Sequence, residues 1–208
     1  MSISSQKTRF ALLRHAETEW NLIKQIQGQE DSPLTREGED RARDWGRLLS
    51  GFQWDRILSS DTGRAVKTAS LVNLSLAVPV DNDPRLREQD WGKWTGKTMT
   101  QIEEEEPEYL EEQLAMVWEF TPPGGENRLS VLERSLRALK EAHSKYTGET
   151  ILIVTHEGLI KCIISHLKEI QKPSIENSTF QSDHLHWLIY SQAGLRLEEM
   201  NALSLSSL

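Results

Sequence analysis

Three short apolar runs each break into a polar turn and then a helical pattern, and that alternation admits few folds. The runs are Thr8 to Arg14, Arg56 to Ser59 and Thr150 to Thr155. Apolar runs without polar alternation suit strands buried on both faces, as in a parallel sheet covered by helices. After the first run, Ser32-Pro33-Leu34-Thr35 opens a helix with Thr35 as its N-cap. Ala42, Trp45, Leu48 and Leu49 recur at helical spacing, and Gly51 suits the stop. After the second run, Asp61 to Leu74 carries Ala65, Val66, Ala69 and Val72 on one side. After the third, Gly158 to Leu167 reads as a helix. Another helix, Glu126 to Tyr146, follows the turn Pro122-Pro123-Gly124-Gly125, with Leu129, Leu132, Leu136 and Leu139 as its apolar stripe. Val78 to Val80 reads as a minor strand. Two strands, near Leu185 to Tyr190 and Leu195 to Met200, close the chain through Gln192-Ala193-Gly194.

The expected fold is therefore α/β: a three-layer sandwich with a mostly parallel central sheet flanked by helices. Residues 83–123 break the alternation. Asp83 to Gly96 reads as a charged, tryptophan-rich loop, and Glu103 to Glu106, ending at Pro107, as a solvated helix face. This stretch is expected to be an insertion over one edge of the sheet, a lid. The 208 residues read as one domain, burying roughly 70% of the unfolded surface.

Several function classes drop out. A net charge of −8 without a basic stripe argues against nucleic acid. It leaves small phosphate esters open, because a few arginines can dominate the potential of a cleft. No apolar run approaches the ~20 residues of a membrane span. The start, Met1 to Lys7, is polar and lacks an apolar signal core, so a cytoplasmic location is expected by default. Cys162 is the only cysteine and reads as a core thiol. His184 and His186 share a strand face but have no third ligand in view, so no metal site is expected. His143 and His166 read as helix-surface residues, and Arg87 and Lys93 as solvated charges. No phosphate-binding loop with a Gly-Lys end and no Gly-x-Ser-x-Gly elbow occurs.

The strand ends carry the chemistry. The first ends in Arg14-His15, the second runs through Ser59-Ser60-Asp61 into a helix bearing Arg64, and the third ends in Thr155-His156-Glu157-Gly158. Open α/β sheets bind ligands at this rim. Two arginine forks grip phosphate oxygens, and a neutral imidazole can attack phosphorus. A second, protonated histidine is expected to help hold the transferring group, and a carboxyl must protonate the leaving oxygen. Glu88, in Leu86-Arg87-Glu88-Gln89-Asp90-Trp91-Gly92, is the best-placed acid, with Asp90 as a competitor. Asn21 suits either a turn cap or a phosphate donor. Trp91 and Trp94 suit either a pocket floor or lid packing.

These residues fall in ordered blocks, and the chain resembles the histidine phosphatase superfamily, the phosphoglycerate mutase-like fold, on its phosphatase branch. The blocks are Arg14 through Thr18, Gly28 through Gly38, Ser59 through Thr68, Leu86 through Gly96, Pro123 through Glu126, and Val154 through His156. The resemblance implies that His15 is the phosphorylated nucleophile and that Arg14, Arg64 and His156 hold the phosphoryl oxygens. It implies Asn21 as a further donor and Glu88 as the proton donor, later the base for water. Gln27, Gly28, Glu157 and Gly158 would line the substrate pocket. No cofactor is implied. Two positions depart from the family's pattern: Ala16 stands where glycine is usual, and Glu157 where a small residue is common.

The implied activity is that of a metal-independent phosphomonoester phosphatase acting on a small phosphorylated metabolite. The alternative is a cofactor-dependent phosphoglycerate mutase, which shares the first half-reaction. The stretch after Glu88 is short for a mutase cap, which favours hydrolysis. A non-catalytic phospho-ligand sensor or protein-binding member is the alternative of another class. A pure binder needs no general acid, so the intact set of Arg14, His15, Arg64, Glu88 and His156 argues against it. The two C-terminal strands offer an edge for a possible homodimer.

Overall fold

The computed structural model describes residues 7–169 and 180–205. Most of the polar start therefore lies outside the described residues. Strands β1 (Thr8–Arg14), β2 (Arg56–Ser59), β3 (Val80–Asn82), β4 (Thr150–Thr155), β5 (His184–Ser191) and β6 (Gly194–Ser204) form one sheet in the order β3-β2-β4-β1-β5-β6. The β1–β4, β2–β4 and β2–β3 pairings are parallel. β5 runs antiparallel to β1, and β6 antiparallel to β5.

Alternate side chains of each central strand enter opposite cores, which makes the sandwich three-layered. On one face Phe10, Leu12, Leu58, Ile151 and Ile153 pack with helices α6 (Arg128–Lys145) and α7 (Glu157–Leu167). On the other, Ala11, Leu13, Ile57, Leu152 and Val154 pack with α2 (Arg36–Leu49) and α3 (Gly63–Leu76). A one-residue slip of β4 would exchange its two buried faces, so packing fixes the register that aligns the strand ends. Helix α2 starts as its sequence predicts: Thr35 Oγ1 accepts from the Gly38 N–H at 2.8 Å.

Some boundaries differ from expectation, for local reasons. β3 begins at Val80, not Val78, because the Asn73 side chain bonds both backbone groups of Val78 and holds it outside the sheet. Helix α3 begins at Gly63 rather than Asp61. Helix α6 begins at Arg128, since Asn127 caps it by accepting from Ser130 N–H. That start turns Leu129 outward, 42% exposed, so it is absent from the apolar stripe. His143 is not a bare surface residue: its Nδ1 lies 2.8 Å from Thr8 Oγ1, and its ring stacks on Tyr190.

The 83–123 stretch is more regular than a loop. It holds two single turns of 3-10 helix, then α4 (Met99–Glu105) and α5 (Pro107–Ala115), while a short α1 (Glu19–Leu22) precedes α2. Its own core is Trp94, Ile102, Leu110 and Phe120. Trp94 is fully buried and donates through Nε1 to Glu106, so the acidic run is solvated only through Glu105. Among the described residues no helix is long and apolar enough to cross a membrane.

Candidate active site

Register alone brings the three strand ends together. Arg14 pairs with Thr155, and His15 N–H donates to the Thr155 carbonyl at 2.9 Å. Ser60 N–H donates to the Val154 carbonyl at 2.9 Å. The His15 and His156 rings consequently meet edge to face, 5.1 Å between centroids. Over them lies a cavity of about 530 Å³ lined by Arg14, His15, Asn21, Gln27, Gly28, Arg64, Glu88, Glu157 and Gly158 among others. Of the predicted site residues, His156 alone is absent from this wall; it lies beneath it, fully buried.

His15 is held in one tautomer. Its Nδ1 lies 2.8 Å from the Ala16 carbonyl, which can only accept, so Nδ1 carries the hydrogen and Nε2 keeps its lone pair. Burial, then the charges of Arg14 and Arg64, hold its pKa well below the ordinary histidine value. The imidazole is therefore neutral at physiological pH. The methyl of Ala16 costs nothing here: Ala16 is buried, its φ is not positive, and its N–H donates to Thr68 Oγ1.

His156 is not the protonated group the sequence suggested. Burial lowers its pKa strongly, with His15 and Arg64 adding to the effect. Arg64 Nη2 lies 3.3 Å from its Nδ1 and has only hydrogens to offer, so Nδ1 accepts and Nε2 donates to Ser60 Oγ at 2.9 Å. His156 thus orients Arg64 as a neutral acceptor. Arg64 also donates to the Gly28 carbonyl at 2.7 Å and to the Glu30 carbonyl at 2.5 Å. Gly28 presents that carbonyl from a positive φ of 53°, which favours glycine. The Arg64 Nε is buried without a partner, an unfilled donor of the kind an oxyanion would satisfy.

The remaining predicted groups take distinct places. Asn21 Oδ1 accepts from the Thr18 N–H and hydroxyl, so it is a cap, and its amide N–H groups remain for the cavity. Gln27 donates to Thr18 Oγ1 and leaves a buried Oε1 without a partner. Glu88, not Asp90, lines the cavity; Asp90 caps the turn at Gly92. Glu88 Oε2 accepts from Gly158 N–H at 2.9 Å, and a Cβ on Gly158 would approach Glu88 Oε1 to 2.6 Å. Trp91 walls the cavity and packs edge-on against Phe120, whereas Trp94 packs the core of the 83–123 stretch. Arg87 is no free charge, since it grips both oxygens of Asp61.

Glu157 faces the site. Its Oε2 pairs with Arg14 Nη1 at 2.7 Å and its Oε1 with Lys161 Nζ at 2.5 Å. Burial works to raise its pKa, but the Arg14 charge and Lys161 outweigh it, so the carboxylate lies below its ordinary range.

Sequence reasoning missed two arginines. Arg134 donates five hydrogen bonds: two to Glu126 and one each to the carbonyls of Arg85, Arg87 and Glu88. The Leu86 carbonyl between them accepts from Thr155 Oγ1. Four consecutive carbonyls of the acid-bearing loop are thereby fixed. The signal was the short step from Glu126, just ahead of α6, to Arg134 within it. The other missed residue, Arg128, lines the cavity. Among the described residues no cluster of three or more His, Cys, Asp or Glu side chains is arranged to hold a metal ion. His186 is buried against Phe180 and accepts from Asn201 N–H, and burial pulls its pKa down to about 4.

Comparison with known proteins agrees with this geometry. The model of the histidine phosphatase superfamily (branch 1) matches residues 10–203. The chain belongs to the histidine phosphatase superfamily. It is 33% identical over 154 residues to "Probable phosphoglycerate mutase GpmB" of Salmonella choleraesuis, covering 74% of this chain and 72% of that protein. Among solved structures, it is similar to Bacillus stearothermophilus YhfR, with a TM-score of 0.85 and 29% identity over 95% of this chain and 98% of that one. It is also similar to mycobacterial glucosyl-3-phosphoglycerate phosphatase Rv2419c, solved with VO3, with a TM-score of 0.81 and 28% identity over 94% and 99% of the two chains. The members of this superfamily are phosphatases and mutases.

Proposed function

We propose that this protein is a phosphomonoester phosphatase that works through a phosphohistidine at His15, without a metal ion. The observation that carries the reading is the His15 ring itself. It is neutral, tautomerically fixed by Ala16, and leaves a free Nε2 at a cavity lined by Arg14, Arg64 and Arg128. Nε2 attacks phosphorus as the bond from phosphorus to the ester oxygen breaks. Arg14 and Arg64 meet the charge on the equatorial oxygens. Glu88, entering as the acid, gives its proton to the departing alkoxide. In the second step Glu88, now the carboxylate, takes a proton from water as that water attacks phosphorus. The bond to Nε2 then breaks, and phosphate leaves a regenerated imidazole.

The name of the Rv2419c relative supports hydrolysis. The name of the Salmonella relative favours phosphoglycerate mutase as a second reading, with the same first step. The deciding experiment is phosphate release from a panel of phosphomonoesters in EDTA, for wild type and His15→Ala, with acid-quench trapping of labelled phosphate on the protein. Release that survives EDTA and vanishes with His15→Ala is expected. Phosphoglycerate interconversion without release would give the mutase instead.

A further inference from the structure

Among the described residues, every arginine that is not exposed has a carboxylate partner except Arg128. Its guanidinium lies over the Phe120 ring, 4.2 Å from Cζ to centroid, and Nη1 donates to the Val117 carbonyl at 2.9 Å. Those two contacts fix its plane and use one of its five N–H groups. Burial lowers its pKa, as for a partly desolvated cation. An uncompensated, partly buried cation costs stability unless something meets it. Arg128 lines the same cavity as His15, Arg64 and Glu88.

The rest of the wall points the same way. Five cationic side chains line the cavity against two carboxylates, on a chain of net charge −8. Arg14 and Arg64 belong to the phosphoryl end. Lys161 is already paired with Glu157, and Lys24 is exposed at the rim. Only Arg128 offers an oriented, unpaired fork away from the phosphoryl clamp.

We propose that Arg128 forms a second anion subsite, so that the substrate is a phosphomonoester bearing another anionic group, a carboxylate or a second phosphate. The inference rests on the proposed phosphatase reading for the seat of the reacting phosphate. A guanidinium fork takes either group with two parallel hydrogen bonds. Phe120 and Val117, both in the 83–123 stretch, hold that fork, so the lid sets substrate choice by aiming a charge.

The test is equilibrium binding by calorimetry on the His15→Ala protein, which holds substrates without turnover. Three probes share a phosphomonoester: glycerol 3-phosphate with a neutral end, 3-phosphoglycerate with a carboxylate, and propane-1,3-diol bisphosphate with a second phosphate. One or both of the latter are expected to bind about tenfold tighter or more than glycerol 3-phosphate. The tighter of the two names the group. Arg128→Met should erase that preference, and Arg128→Lys should keep part of it. Arg128→Gln retains a donor for the Val117 carbonyl and, with thermal melts of each variant, separates misfolding from lost recognition. Equal affinity for all three probes overturns the proposal, as does a preference that survives Arg128→Met and Arg128→Gln. Failure of the phosphatase reading would show elsewhere, as absent phosphate release and no label on His15, with these binding constants unaffected.

Discussion

Arg134 and Glu88 are joined through the main chain: Arg134 Nη2 donates to the Glu88 carbonyl at 2.9 Å, while the Glu88 carboxylate reaches the other way to Gly158 N–H. Glu88, the proposed acid, is thus suspended between helix α6, through its backbone, and the first turn of α7, through its side chain. The Gln89 side chain adds a tie to the lid, donating to the carbonyls of Phe120 and Glu126. An acid so placed has little freedom to search for its proton acceptor, which is the condition for efficient transfer.

Arg134→Lys therefore acts on proton transfer although Arg134 lines no part of the cavity. A lysine cannot reproduce five planar hydrogen bonds. Rates on alkyl phosphates, which need a proton on the leaving oxygen, are expected to fall about tenfold or more. Aryl phosphates, which leave unprotonated, should fall much less. Comparing kcat/KM across leaving groups of graded pKa checks this; a uniform loss would assign Arg134 to fold stability alone.

The acid itself gives a sharper version. Glu88→Gln is expected to cost alkyl phosphates about 10²- to 10⁴-fold and aryl phosphates far less. Gly158→Ala should imitate it, because the new Cβ would meet Glu88 Oε1 at 2.6 Å and push the carboxyl from its seat. Kinetics on both substrate classes, beside a thermal melt, would expose the contrary result: a Gly158→Ala enzyme that melts early yet keeps its leaving-group profile.

Glu157 pairs with the Arg14 fork that the proposed reaction would turn toward the phosphoryl group. Glu157→Gln removes a carboxylate held 2.7 Å from Arg14 Nη1 and returns that cation to the cavity. Orthophosphate and vanadate are expected to inhibit the variant several-fold more tightly. Inhibition constants measured at matched ionic strength decide the matter, and weaker inhibition would mean that Glu157 orients Arg14 rather than competing for it.

Three buried histidines couple stability to pH. The pKa values of His15, His156 and His186 all lie below the ordinary histidine value, the last at about 4. Below about pH 6.5 the unfolded chain binds protons that the folded chain refuses. Stability is therefore complete above that pH and falls as the pH drops toward the folded-state values. The slope is at most about 1.4 kcal/mol per pH unit for each group. Urea midpoints at pH 7 and pH 5 should show the loss, and a flat profile would contradict neutral burial of these rings. For the same reason, kcat/KM should hold its value below pH 6.5, where an ordinary imidazole is already protonated.

Much of this was legible in the chain because strands β1, β2 and β4 are short apolar runs with one buried role. Thr35 announced its cap, and the reactive set from Arg14 to His156 fell at strand ends. What escaped depended on contacts distant in sequence. Helix α6 looked like a leucine stripe with a solvated back. Nothing in its periodicity showed that Arg134 would serve three carbonyls far upstream or that Arg128 would face the cavity. The charge state of His156 was misjudged because it follows from burial and from Arg64 pointing at Nδ1, neither of which spacing reveals. The start of β3 was misplaced because one asparagine, Asn73, outcompeted strand propensity at Val78.

Strand β1 is made long before its two neighbours in the sheet, β4 and β5, which lie beyond residue 149. A growing chain carries His15 through the whole of residues 16–149 with no partner for the strand that presents it. Until β4 arrives, the nucleophile has neither its companion histidine nor the carbonyl of Thr155 that fixes its backbone. Pairing across so long a span closes late and slowly. The setting of the His15 imidazole is therefore complete only after β4 has been made, and a chain cut before residue 150 keeps the residue without its surroundings.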